Sequence, residues 1–508
     1  MNLISLQFLV FCIALLVLYY LVPKRFQWWL LLLGSAVFFL LTGTPYTIIY
    51  LLISIVSAWL AGRYIQTQNN RRRKRAVFIA EIILNVGMLA ALKYTNFLLS
   101  TTESLVNLFG ANLSLGTVSW VSAIGISFYT LQVVGYLCDV YWGISQAQRN
   151  PFKFALFVSY FPQISSGPIS RYHQLEELLF AGHGFDHKTV TFGLQRMLWG
   201  FFKKLVIAER LTAFVNSVYG APHTYQGAYI WLGTVAFLIQ LYADFSGNMD
   251  IVLGLSESLG IRLTENFRAP LFARNVQAFW QRWHITLGAW FKDYVMFPIL
   301  RSRAWAKMGR RLKTRFGKNT ARRIPAWLGM LVLWVGIGIW HGNGWQFIFQ
   351  GLWFFCIIVL GQLCAPLFDT LRRKLCIREK SFIWHLFQSL RTCLLFAVGL
   401  VFFRAQSLNH AFGMLFSAVT VFNPGAIFSV QTLALLGGWE NLRIVLPAIA
   451  LLLFVDVLHA RGNSLRAWAA RQNIALRWVL YYALLFAVLL FGMYGGGYSP
   501  GEFIYGGF

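Results

Sequence analysis

Long apolar runs recur at 3–22, 26–43, 46–62, 76–98, 121–142, 225–243, 325–340, 345–363, 383–403, 443–459 and 478–494. A helix needs about 20 such residues to cross roughly 30 Å of hydrocarbon. Strands of a membrane barrel would instead give alternating segments of about ten residues. The contiguous runs predict an all-α, polytopic membrane protein. Between 150 and 300 the pattern changes: FVSYFPQISSGPISRYHQLEE, FGLQRMLWGFFKKLVIAERL and FWQRWHITLGAWFKDYV are short apolar pieces cut by polar residues. Irregular, polar segments at membrane depth survive only when buried in protein or lining a water-filled cavity. The stretch predicts short, tilted or re-entrant helices enclosed by the longer spans.

Composition agrees. Of 508 residues, 58% are hydrophobic and 12% charged, against about 25% charged in a soluble protein. The net charge of +27 is concentrated in RRRKR (71–75), 301–323, 371–380 and 461–477. Basic loops mark the cytoplasmic side, so these are read as cytoplasmic loops. The stretch 99–120, which has no Lys or Arg, is read as an outer loop. Counting spans from RRRKR places both termini outside, in a plasma or inner membrane. The first apolar run lacks a small-residue cleavage site and reads as a retained helix. The charges suit contact with anionic lipid; nucleic acid is not an expected partner. The six cysteines show no metal spacing, and neither a metal nor a bound cofactor is expected.

Ionisable residues at membrane depth are functional candidates. In the broken stretch these include Asp244, Asp250, Glu265, Arg282, His284, Lys292 and Asp293. His284 sits in a segment with helical spacing, with Trp280, Trp283 and Trp290 on its sides. His341 ends the apolar run 328–340, beside Gly342 and Gly344, which permit close backbone approach. A buried imidazole without a partner costs a few kcal/mol, so both histidines need a structural or chemical reason. An imidazole with a pKa near 6.5 is a suitable general base at neutral pH. Arg282, His284 or a backbone amide near Gly342 could stabilise an oxyanion. A passage holding both histidines would be lined by Trp280, Trp283 and Trp340, with Asp244, Ser246 and Asn248 as polar or donor-binding groups. The same features suit a transporter or flippase, although the two halves show no visible repeat.

The chain resembles the membrane-bound O-acyltransferases, in the branch of alginate O-acetyltransferase and teichoic-acid D-alanyl transferase. The resemblance is carried by ALKYTNF (91–97), GISFYTLQVVGYLCDVY (125–141), FPQISSGPISRY (161–172), 241–270, FWQRWHITLGAWFKDYV (279–295), GIWHG (338–342) and VFFRAQSLNHA (401–411). It implies one domain over 1–508: N-terminal spans in 1–145, a catalytic core in 150–345, and C-terminal spans in 346–508. It further implies a ring of helices around a tunnel, with His341 tied to acyl transfer and His284 as its partner. The donor would be a cytoplasmic acyl thioester such as acetyl-CoA. The acceptor would be an extracytoplasmic serine-type acetyltransferase that modifies a polysaccharide, with D-alanyl or other acyl transfer to a cell-wall polymer as the alternative. The tail FIYGGF and the long basic stretch 295–325 depart from the family pattern.

Overall fold

The computed structural model describes residues 3–42, 45–121, 123–164 and 166–494. The tail FIYGGF, with the expectation that it ends outside, falls beyond them. Among the described residues the regular structure is helical apart from one isolated bridge between Phe267 and Trp283. Among them nine helices are long and apolar enough to cross a membrane, and Leu6–Leu21 is a shorter apolar helix. The protein is a multi-pass, all-α membrane protein.

Two compact units are distinguished, Met1–Met197 with Asn248–Thr264, and Leu198–Gly247 with the chain from Glu265 onwards. In the first unit, helix Ile126–Trp142 is an interior element, buried at every residue from Phe128 to Val140. Gly62 lets it approach Ile48–Thr67, because a Cβ there would lie 2.9 Å from the Tyr136 hydroxyl oxygen. The buried carboxylate of Glu81 accepts from Ser57 Oγ at 2.6 Å and Asn85 Nδ2 at 2.7 Å. Arg196 pairs with Asp250 at 2.8 Å.

The second unit is built around the antiparallel pair Arg303–His341 and Trp345–Leu363. A Cβ at Gly338 would come within 2.5 Å of the Phe347 carbonyl, and one at Gly351 within 2.3 Å of the Trp334 carbonyl. Small residues allow this backbone approach, the usual device where helices pack in lipid. Helix Ala228–Ser258, whose backbone runs through both units, has 78% of its apolar window buried, against 6% for Ile474–Phe491. The first is an interior helix and the second offers its surface to lipid.

Several expected loops are corrected. RRRKR at 71–75 opens the helix Arg71–Leu108 and residues 99–108 continue it, while 371–374, 465–469 and 474–477 are also helical. The basic stretch 301–323 is also mostly helical, forming the start of Arg303–His341, with a break at Gly317 (φ 83°, ψ 172°). Ala, Leu, Met, Lys and Arg are all good helix formers. The charge there sets location rather than backbone conformation.

Candidate active site

His284 does not lie within a helix, as its spacing suggested, but in a break between two. Helix Val276–Trp280 ends, and His284 takes a left-handed conformation (φ 46°, ψ 51°) before Ile285–Phe291 begins. For a residue with a Cβ this conformation costs about 1–2 kcal/mol, and such strain persists only where the surroundings impose it. Here the segment 266–268 imposes it. The Arg268 N–H donates to the Arg282 carbonyl at 3.0 Å, and the Ile285 N–H to the Asn266 carbonyl at 3.1 Å. The Asn266 amide oxygen accepts from both the Thr286 N–H and the Thr286 hydroxyl at 3.0 Å. With its oxygen committed to Thr286, the amide turns its N–H toward His284 Nδ1 at 3.1 Å. The Asn266 Oδ1 also lies 3.3 Å from Nδ1, so this amide holds the Nδ1 side of the ring. His284 thus has one ring nitrogen engaged by Asn266, which leaves Nε2 as the nitrogen that the amide does not hold.

His341 is the last residue of its helix, and Gly342 continues in extended backbone. A Cβ on Gly342 would lie 2.2 Å from the Phe347 ring, so only glycine lets the chain turn so tightly beside that ring. The imidazole is buried and meets Phe403 edge-on, with centroids 5.6 Å apart. The Trp340 ring lies 5.8 Å from the His284 ring and 5.3 Å from that of His341. On its other side His284 meets Phe245 edge-on at 4.8 Å. Two imidazoles from breaks 57 positions apart in sequence therefore both pack against one indole.

A charged layer lies one residue to either side of Phe245. Asp244 is buried and accepts an ion pair from Lys204 Nζ at 2.5 Å; the same ammonium reaches Glu209 at 2.8 Å. Ser246 accepts from Lys203 Nζ at 2.9 Å. Both lysines are buried, on a stretch where the helix widens into π-helical turns over Phe202–Ala208. Such widening recurs at functional sites. Two carboxylates, Asp244 and Glu209, thus offset the buried Lys204 charge.

Comparison with known proteins bears on this arrangement. The family profile of MBOAT, the membrane-bound O-acyltransferase family, matches residues 145–314. The probable alginate O-acetylase AlgI of Azotobacter vinelandii is 30% identical over 406 residues, covering 78% of this chain and 73% of that one. The chain belongs to the membrane-bound O-acyltransferase family. The peptidoglycan O-acetyltransferase of Helicobacter pylori is 29% identical over 63% of this chain and 62% of its own. The teichoic acid D-alanyltransferase of Bacillus subtilis is 28% identical over 46% of this chain and 57% of its own.

Within this O-acyltransferase, the residues singled out in sequence do not all share one place. His284, Trp340 and His341 come together. Asp244 and Ser246 lie on the helix whose Phe245 touches His284, but both are engaged by lysines. Trp283 packs behind His284, against Phe279 at 5.6 Å and Phe267 at 5.1 Å. Trp280 meets Trp334 and Phe354 at 4.8 and 4.9 Å, and Phe396 joins it to Trp283. Arg282 is half-buried and contributes its carbonyl to the bridge with Arg268. Asn248 is buried in the first unit. Asn266, Lys203, Lys204 and Glu209 were not foreseen. The adjacent lysines inside GFFKKLVIAE gave a usable signal, since ionisable residues in an apolar run mark function or pairing. Asn266, in the loop-like RLTENFRAP, gave none.

Proposed function

We propose that this enzyme passes an acetyl group from a cytoplasmic thioester donor, such as acetyl-CoA, across the membrane for O-acetylation of an extracytoplasmic polysaccharide. The observation that carries the reading is the gathering of His341 and an oriented His284 about Trp340. In the reaction the acceptor hydroxyl oxygen attacks the acyl carbon while His341 takes the hydroxyl proton. The carbon–sulfur bond then breaks and the proton passes to the departing thiolate. Nε2 of His284, where it carries the ring proton, suits a donor to the oxyanion formed between these steps. Acetyl is favoured over D-alanyl because the alginate O-acetylases align over most of the chain, whereas the D-alanyl transferase aligns over less than half. The immediate acceptor in this reading is a serine-type acetyltransferase outside the membrane, which hands the group on to the polymer.

The test is acetyl transfer from acetyl-CoA by reconstituted protein, together with acetylation of surface polymer in cells. His341→Ala should fold and insert normally yet lose about 10² or more in transfer rate, as expected for a missing general base. Near-wild-type transfer by well-folded His341→Ala would end this reading and return attention to transport.

A further inference from the structure

The break at Gly317 makes an object of its own. Trp305 Nε1–H donates to the Pro325 carbonyl at 3.2 Å, and a Cβ at Gly309 would lie 4.0 Å from the Ala321 carbonyl. The arm before Gly317 therefore runs back along the start of the span Ala321–His341, forming a helical hairpin. Residues 301–323 hold ten Lys or Arg residues, and no Asp or Glu occurs anywhere from 294 to 368. Among the described residues, no ion pair is recorded for the hairpin's cations. The neighbouring basic segment behaves differently: Arg372 is paired with its own Asp369 at 3.3 Å and Glu379 at 2.9 Å. So many like charges within one short hairpin repel one another. Their counter-charge must come from outside this part of the chain.

The hairpin's position selects the source. Its second arm is continuous with a membrane span. Trp305 and Trp327 stand near the level of Pro325, where indoles commonly mark the membrane interface. From Pro325 to Gly317 is eight residues, which at 1.5 Å each raises the tip only about 12 Å. That is close to the depth of a headgroup layer plus a screening length of about 8 Å at physiological salt. The tip residues Arg310, Arg311, Lys313 and Arg315 are exposed. At that height they remain within the field of an anionic leaflet, where each basic residue contributes about 1 kcal/mol of attraction.

We infer that the hairpin 303–323 is a docking surface for anionic phospholipid headgroups. It gathers such lipids around the cytoplasmic end of the helix that carries His341 at its other end. This inference is independent of the acyl-transfer reading, because its readout is bound lipid rather than activity. Full-length protein would be purified from mixed micelles holding equal amounts of phosphatidylglycerol and phosphatidylcholine, and the retained lipid quantified by mass spectrometry. Wild type should retain phosphatidylglycerol several-fold over phosphatidylcholine, and 0.5 M salt should reduce that preference. R310Q/R311Q/K313Q/R315Q should lose most of it while eluting as wild type on size exclusion. R310K/R311K/R315K, which keeps the charge, should retain it and so guard against a folding artefact. Equal retention of the two lipids by wild type would overturn the inference. So would undiminished preference in the glutamine variant, which would place the lipid elsewhere on the protein.

Discussion

At the scale of single residues, the determining contact is between Asn266 and His284. The amide meets Nδ1 at 3.1 Å and fixes the orientation of the ring. Asn266→Asp would put a carboxylate against Nδ1, and an opposite charge at that distance favours the protonated form. The His284 pKa should then rise, a shift read directly by NMR titration of the imidazole. Asn266→Ala should lower the transfer rate without raising that pKa, because the imidazole is no longer oriented and the Thr286 N–H loses its partner, a loss of about 1 kcal/mol. Titration and acetyl transfer can both be followed between pH 5 and 8. An unmoved His284 pKa in Asn266→Asp would argue against the contact between this side chain and Nδ1. Of these residues the histidines were legible in the sequence, since a lone imidazole beside glycines or between tryptophans stands out against apolar surroundings. Asn266 was not, because its role depends on a backbone bridge between segments almost twenty positions apart. Lys204 and Asp244 could each be noticed, but their pairing across about forty residues is a product of the fold.

Among the elements, the helix pair Arg303–His341 and Trp345–Leu363 sets where His341 ends. Gly338→Val would force the Phe347 carbonyl and the Ile348 backbone away, at a point three residues from the imidazole. A displacement of about 1 Å can cost a reaction roughly 10²-fold. Transfer should therefore fall at least tenfold even in protein that inserts normally. Gly361→Ala serves as the control, since a Cβ there meets nothing within 4 Å; it should behave as wild type in both yield and activity. Most of the long helices were readable from apolar length alone, because lipid admits few other solutions. The breaks that matter were harder to see. The segment around His284 has helical spacing, and its interruption comes from tertiary hydrogen bonds. The stretch 301–323 looked like a loop because its charge was more conspicuous than its helix-forming composition.

For the whole molecule, the distribution of Lys and Arg predicts a single orientation. A cysteine introduced at Lys313, in a background without the native cysteines, should react with impermeant reagent only from the cytoplasmic face; labelling from outside would reverse the proposed topology. The Lys204 cluster adds a constraint on how such a molecule is made. Lys203, Lys204 and Glu209 leave the ribosome before Asp244 and Ser246, which lie on helix Ala228–Ser258. Until that helix is synthesised, the earlier segment carries a surplus positive charge, and burying a charge without its partner is strongly unfavourable. Residues 198–220 therefore cannot settle into their final place on their own. Their final packing is completed only when the later helix supplies Asp244 and Ser246, so that the order of synthesis is tied to these contacts.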